Sequence, residues 1–398
     1  MAWPLMFGGL SEWCREMCNR SIGRVTCLID SLVSGGAQRQ ICMLAILLKR
    51  HGVDVRIVTY YPFDFFKAML TQSHIDVTTV HWHNKLQRTW AVRQSIRSGR
   101  PDVVIAYLAT PSVIAELAGL PFRDYLLIVS ERNLDSPKRF TIRRRIEYFL
   151  HFFADAVVTN SYSQAAIMQE MMPRLARRTT TILNAVDTKV FRPAKSAKTI
   201  FPNELSIVCV GSFRPQKNYA ALLEAVEILW QQRPELTVWV DVYGRSSFSD
   251  ETHSVDASPF VMLQESLVDS PVNGRFRLHP PKKNVVPLYN QADCLCLPSL
   301  YEGCANVIGE AMACGRPVLA SRVSDNGLLV QEGVTGILFD PTDSADIADA
   351  ILRFAQLSIA ERIEMGRAAR ERAEILLAPD RLLQQYIDLI HKLQTSAT

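Results

Sequence analysis

Between Pro298 and Pro317 the chain reads PSLYEGCANVIGEAMACGRP, with Glu302 and Glu310 separated by seven residues. A strand-like run ends at Pro298, a loop carries Glu302 and Gly303, a helix begins near Asn306, and Gly315 and Pro317 stop it. In a strand–loop–helix unit the first helical amides lack partners within the helix. Those of Gly303, Cys304, Ala305, Asn306 and Val307 therefore make an anion site suited to a diphosphate. Glu302, beside that site, can accept hydrogen bonds from sugar hydroxyls. Glu310, one to two turns into the helix, is placed to chelate a ribose diol. A lone pair of glutamates at this spacing would be read as two solvated side chains; the frame around them reverses that reading.

A second stretch, GSFRPQKN at 211–218, follows the first strand of the second half. Gly211 opens the turn, and Arg214 and Lys217 flank it, so two cations stand ready to neutralise a diphosphate leaving group. Ser34-Gly35-Gly36 follows the first strand of the chain; paired glycines let a backbone approach a ligand closely. It is not Gly-x-Gly-x-x-Gly, so a dinucleotide fingerprint is absent. No Asp-x-Asp occurs, and His81 and His83 have no acidic partner placed with them. Bound Mg²⁺ usually needs carboxylates beside the phosphates. Charge stabilisation is thus expected from Arg214, Lys217 and helix amides, with no metal and no cofactor besides the donor itself. Finally, residues 137–153 place Lys138, Arg139, Arg143, Arg144 and Arg145 before an aromatic run. Such a segment suits an anionic membrane surface or an ordinary helix with one solvated face.

The elements that must position these groups alternate as βαβα, which predicts parallel sheets covered on both faces. Strands are predicted at 24–30, 53–61, 75–82, 102–108, 125–130, 156–160 and 179–183, with a helix over 37–50. Segment 187–204 breaks the rhythm with Pro193 and Pro202. Strands resume at 205–211, 236–244, 275–279, 294–297, 317–321 and 336–339. Helices are predicted near 218–231, 307–314, 344–357, 360–373 and 379–394. The resulting organisation is an extension at 1–23, a domain at 24–190, a linker at 191–204, a domain at 205–378 and a closing helix at 379–398 able to pack back on the first domain. Two doubly wound α/β domains face a cleft at the carboxyl ends of their strands, where such sheets bind ligands.

Composition agrees with this layout. At 398 residues the chain suits two domains, and 48% hydrophobic with 21% charged residues is globular. The longest apolar run, 41–48, is far below the roughly 20 residues of a membrane span. No secretory signal is evident, so a cytoplasmic protein is expected. Nine cysteines without Cys-x-x-Cys read as reduced, buried thiols. The net charge of +4 hides an asymmetry. Residues 1–194 carry 25 Lys and Arg against 15 Asp and Glu, and the remainder 19 against 25. A basic half serves an anionic surface or acceptor; without a recognition motif, nucleic acid is not expected.

The 298–321 segment resembles the glutamate-x-seven-glutamate segment of retaining glycosyltransferase family 4, of GT-B fold with two Rossmann-like domains. Similarity continues in SLVSGGAQRQ near the start, ADAVVTNS at 154–161, LNAVDTKVFRP at 183–193, GSFRPQKN at 211–218 and GVTGILFDPTDSADIADAI near the end. The resemblance implies that Glu302 contacts donor-sugar hydroxyls, that Glu310 holds the ribose, and that Arg214 and Lys217 hold the diphosphate. It implies that Gly36 approaches the diphosphate from the other domain and that the base lies near Arg277–His279. It also implies retention, with the leaving phosphate taking the acceptor proton. Three places depart from the pattern: Ala305 replaces a usual proline, Tyr243-Gly244-Arg245 replaces Gly-x-Gly, and Ser130-Glu131-Arg132-Asn133 stands where many members carry histidine. That last run resembles members acting on undecaprenyl-diphosphate-linked sugars from UDP-GalNAc or UDP-GlcNAc, which assigns Glu131 and Arg132 to the acceptor side. The expected protein is a glycosyltransferase taking a nucleotide-sugar donor, UDP-linked, to a glycan or polyprenyl-diphosphate-linked acceptor. It would work at the cytoplasmic face of the inner membrane, in surface glycan or lipopolysaccharide synthesis. A UDP-sugar 2-epimerase of the same fold and a non-catalytic nucleotide-sugar-binding subunit are the alternatives.

Overall fold

The computed structural model describes residues 22–132, 141–195, 201, 203–246, 249–250, 253–254 and 258–396. Residues 1–21, including most of the expected extension, and Lys138, Arg139 and Asn133 lie outside it.

The first half holds seven strands: β1 (Arg24–Leu28), β2 (Asp54–Thr59), β3 (Asp76–Thr79), β4 (Val103–Tyr107), β5 (Leu126–Glu131), β6 (Ala156–Thr159) and β7 (Thr179–Thr181). They form one parallel sheet in the order β3-β2-β1-β4-β5-β6-β7. The second half holds β8 (Glu204–Val210), β9 (Thr237–Tyr243), β10 (Phe276–His279), β11 (Cys294–Leu297), β12 (Val318–Ser321) and β13 (Gly336–Phe339). These form a second parallel sheet in the order β10-β9-β8-β11-β12-β13. In each sheet the strand order reverses beside the first strand, and that switch point opens the crevice where ligands bind.

Runs such as VVIAY in β4 and CLCL in β11 are buried at every position. That is why they read as unbroken apolar runs and not as alternation. Two hydrophobic clusters cover each sheet, one per face. The helix Pro379–Ser396 buries Leu382, Tyr386, Ile387, Leu389 and Ile390 in the first half's core, beside the helix Gly36–Arg50. Each such side chain contributes about 1.5–3 kcal/mol on burial, so the end of the chain fastens the two halves together. The seven described cysteines are buried and form no disulfide. Among the described residues no helix is long and apolar enough to cross a membrane.

The structure adds elements too short for a period to announce: the helices Val286–Gln291 and Asn326–Leu329, and a short antiparallel pairing of Ser249–Asp250 with His253–Ser254. The helix Ser258–Val268 also falls outside the predicted set.

Candidate active site

The cleft between the halves encloses about 450 Å³. From the second half, β11 delivers the loop that carries Glu302, and the helix Asn306–Ala313 then begins at Ala305. Ala305 is extended (φ −71°, ψ 103°) and caps nothing with its side chain. From the first half, the helix Gly36–Arg50 starts at an extended Gly35 (φ −147°, ψ 161°), also without a side-chain cap. Gly35, Gly36, Ala305 and Asn306 all line the cleft. Two helix N-termini, each carrying about half a positive charge, therefore converge on one space. At Gly36 a Cβ would stand 2.7 Å from Asn306 Nδ2, so a side chain there would displace the Asn306 amide. Gln40 Nε2 (3.2 Å) and Asn184 Nδ2 (2.9 Å) both donate to Asn306 Oδ1, which fixes the two helices in register.

Arg214 and Lys217 come from the turn after β8, and both line the cleft. The turn Pro215–Lys217 is tied to the glutamate loop: Leu300 N donates to Gln216 O (2.8 Å), and Gln216 Nε2 to Tyr301 O (2.6 Å). Lys217 Nζ then reaches Glu302 Oε1 at 2.6 Å, with the two side chains 15% and 10% exposed. Gly211 lies beside them; a Cβ there would meet Lys217 Cε at 3.2 Å. Gly244 explains how the Tyr-Gly-Arg turn survives without a second glycine. Its would-be Cβ falls 1.9 Å from Gly211 O, so the one retained glycine is at the point of closest backbone approach.

Glu310 does not stand free. Arg39, in the first turn of the helix Gly36–Arg50, pairs with its Oε1 across the cleft, and Tyr289 Oη donates to its Oε2 at 2.8 Å. Cys304 and Val307 also line the cleft. His279 is set back: it bonds Asp241 Oδ1 (2.6 Å) and stacks on Tyr243 (centroids 4.4 Å, 13°), and it is Tyr243 that lines the cleft.

β5 ends at Glu131, followed by Arg132, and the two side chains have different surroundings. Glu131 is buried against Arg144 (2.5 Å) and His151 (3.1 Å), and His151 also bonds Glu116 (2.6 Å). Burial alone would raise the Glu131 carboxyl, but Arg144 and His151 outweigh it and hold it down to about 2. Burial alone would lower His151; the two glutamates outweigh it and raise the ring to about 9. Burial raises Glu116. Glu131 thus anchors the helix Ile142–Leu150 to the sheet, whereas Arg132 lines the cleft. Sequence reasoning did not single out Arg39, Asn184, Tyr289 or Lys282, the last of which also lines the cleft; Arg39 lay within the SGGAQRQ segment, three residues past Gly36, and Asn184 within LNAVDTKVFRP.

Comparison with known proteins assigns this architecture. Residues 34–190 match the model of glycosyltransferase family 4, and residues 204–356 match that of the glycosyl transferases group 1. The chain belongs to these glycosyltransferases. The transferase is 26% identical over 309 residues to D-inositol 3-phosphate glycosyltransferase of Pseudarthrobacter chlorophenolicus, covering 73% of this chain and 71% of that one. It is 25% identical to the protein of the same name from Paenarthrobacter aurescens, covering 73% of each. Its fold, GT-B, is shared with Anabaena HepE in complex with UDP-glucose (TM-score 0.78, 20% identity, 94% of this chain and 99% of that one). Sucrose-phosphate synthase from Thermosynechococcus elongatus is similar at TM-score 0.77 and 18% identity, over 94% of this chain and 100% of that one.

Proposed function

We propose that this glycosyltransferase takes a sugar from a UDP-linked donor, held mainly by its second half, and transfers it with retention to a lipid-linked or glycan acceptor. The observation that carries the reading is the convergence of the Lys217–Glu302 pair with two helix N-termini that no side chain caps. The donor diphosphate lies against those amides, with Lys217 and Arg214 neutralising it as it leaves. Glu302 accepts from sugar hydroxyls, and Glu310 meets the ribose once Arg39 yields. The acceptor proton passes to the leaving phosphate on the same face, so no separate general base is required. The bound UDP and UDP-glucose named for HepE support a UDP-sugar donor in a fold of this kind. The test is UDP release from a panel of UDP-sugars, UDP-GlcNAc and UDP-GalNAc among them, alongside protection against thermal unfolding. Turnover is expected to survive EDTA; a strict Mg²⁺ requirement in the chemical step would overturn the reading.

The membrane part of the reading rests on the helix Ile142–Leu150. An ordinary surface helix buries its apolar stripe. This one buries Tyr148 and ties down Arg144, while Ile142 (79% exposed), Ile146 (56%) and Phe149 (57%) face outward. Their spacing of four and three residues puts them on one face, with Arg143 exposed beside them. An outward apolar face flanked by arginine fits the interface of an anionic bilayer.

A further inference from the structure

Among the described residues, Arg132 is a buried cation of the cleft with no partner of opposite sign. Arg132 is only 7% exposed. Its guanidinium lies over the Tyr107 ring, 3.8 Å from the centroid. Nη1 donates to Asn184 Oδ1 at 3.0 Å and Nη2 to Tyr386 Oη at 2.8 Å, while Nε is buried with no acceptor. Tyr386 is itself fixed by a 2.9 Å bond to Tyr107 Oη. Every one of these partners is neutral, and among the described residues no carboxylate pairs with Arg132. The adjacent Glu131 is spent on Arg144 and His151.

A buried charge without a counter-charge costs several kcal/mol, and stacking with neutral hydrogen bonds repays only part of it. The arrangement makes physical sense if an anion enters the cleft. The flat guanidinium is already oriented, so binding loses little side-chain freedom, and its fork matches phosphate oxygens. A second polar group in the same wall awaits a partner. Asn160, 3% exposed, gives its Nδ2 to Arg132 O (3.2 Å), but its Oδ1 is buried and unpartnered. Arg132 and Asn160 both line the cleft from the first half, opposite Lys217 and Arg214.

We propose that Arg132 anchors a second phosphate-binding subsite, on the first-half wall of the cleft, with Tyr386 as its positioning residue and Asn160 accepting from a neighbouring substrate hydroxyl. The phosphate belongs either to the acceptor or to the donor's diphosphate. The assignment rests on the cleft being a nucleotide-sugar site, but the anion itself can be measured independently.

The experiment uses the full chain as wild type, Arg132→Gln, Arg132→Lys and Tyr386→Phe, with UDP and inorganic phosphate as probes, read by calorimetry and thermal unfolding. If the subsite serves the acceptor, phosphate still binds UDP-saturated wild type, and Arg132→Gln weakens it by roughly tenfold or more while UDP affinity holds. If it serves the donor, Arg132→Gln weakens UDP by a similar factor and phosphate no longer binds once UDP is present. Arg132→Lys recovers part of the loss in either case. Tyr386→Phe, which keeps the charge but frees its orientation, lowers affinity for the same probe several-fold, and it carries the test should Arg132→Gln fail to fold. Unchanged affinity for both probes in folded variants overturns the proposal. Failure of UDP to bind wild type would defeat the donor reading instead, and phosphate titrated alone would still report on Arg132.

Discussion

Replacing Lys217 by Ala removes two things at once. Lys217 Nζ sits 2.6 Å from Glu302 Oε1, with both side chains largely shielded from water. Two unit charges about 4 Å apart in such surroundings interact by about 4 kcal/mol at an effective dielectric of about 20. As the sugar–phosphate bond breaks, the leaving diphosphate gains charge, and a cation in contact with it is worth about 2–4 kcal/mol. That is tens to several hundredfold in rate. The variant also strands the Glu302 carboxylate, so its unfolding temperature should fall. The two losses separate in the double variant Lys217→Met with Glu302→Gln. Neutralising both partners restores stability but not turnover, because the leaving group still lacks its cation and the sugar its Glu302 carboxylate. UDP release at saturating donor, beside thermal unfolding of the same samples, measures both. If folded Lys217→Ala turned over within about twofold of wild type, the phosphate site would be misplaced.

Three further outcomes follow from the geometry. Glu310→Gln should weaken UDP affinity by roughly tenfold with a smaller effect on kcat, measured by UDP titration and steady-state kinetics; an unchanged UDP affinity would remove Glu310 from the ribose site. Ile146→Ser with Phe149→Ser should reduce co-sedimentation with anionic vesicles severalfold without lowering the unfolding temperature, since both side chains face outward; retained binding would count against the membrane face. His151 is held at about 9 in the fold against its ordinary 6.5. Its contribution to stability is therefore complete below pH 6.5 and lost as pH rises through 9. The gap in unfolding temperature between wild type and His151→Gln should narrow over that window, and a gap independent of pH would show that the ring is not held charged.

Both sheets were legible because their strands are buried on both faces, so stretches such as VVIAY and CLCL stand out as runs without any partner being known. The Glu302–Glu310 frame was legible for a related reason: strand, loop, helix start and Gly-x-Pro stop are local signals within twenty residues. The helices at 286–291 and 326–329 were not, since six and four residues hold too little of a period to register. The helix at 142–150 was legible as apolar and basic, but not in orientation. Which side it buries is decided by Glu131 on a different element.

The partners that tune the site lie beyond any local pattern. Arg39 meets Glu310 across 271 residues and Arg132 meets Tyr386 across 254. Asp325 accepts from Tyr162 N at 2.6 Å and Ser163 N at 2.9 Å, so a carboxylate of the second half caps a helix of the first. The residue before it, Ser324, accepts from Glu302 N at 3.3 Å. The Glu302 loop is thus joined, through two consecutive residues, to the contact between the halves. Charge follows the same division. On the second-half wall Lys217 is matched by Glu302, so this cation must leave a carboxylate before it can serve a substrate. On the first-half wall Arg132 has only neutral partners among the described residues, so its charge is available without breaking an ion pair. Under the proposed function, an anionic substrate would meet Arg132 without rearrangement and engage Lys217 as charge develops on the leaving group. A charge available on the approach, and a cation released at the bond that breaks, are the conditions under which electrostatic stabilisation grows from ground state to transition state.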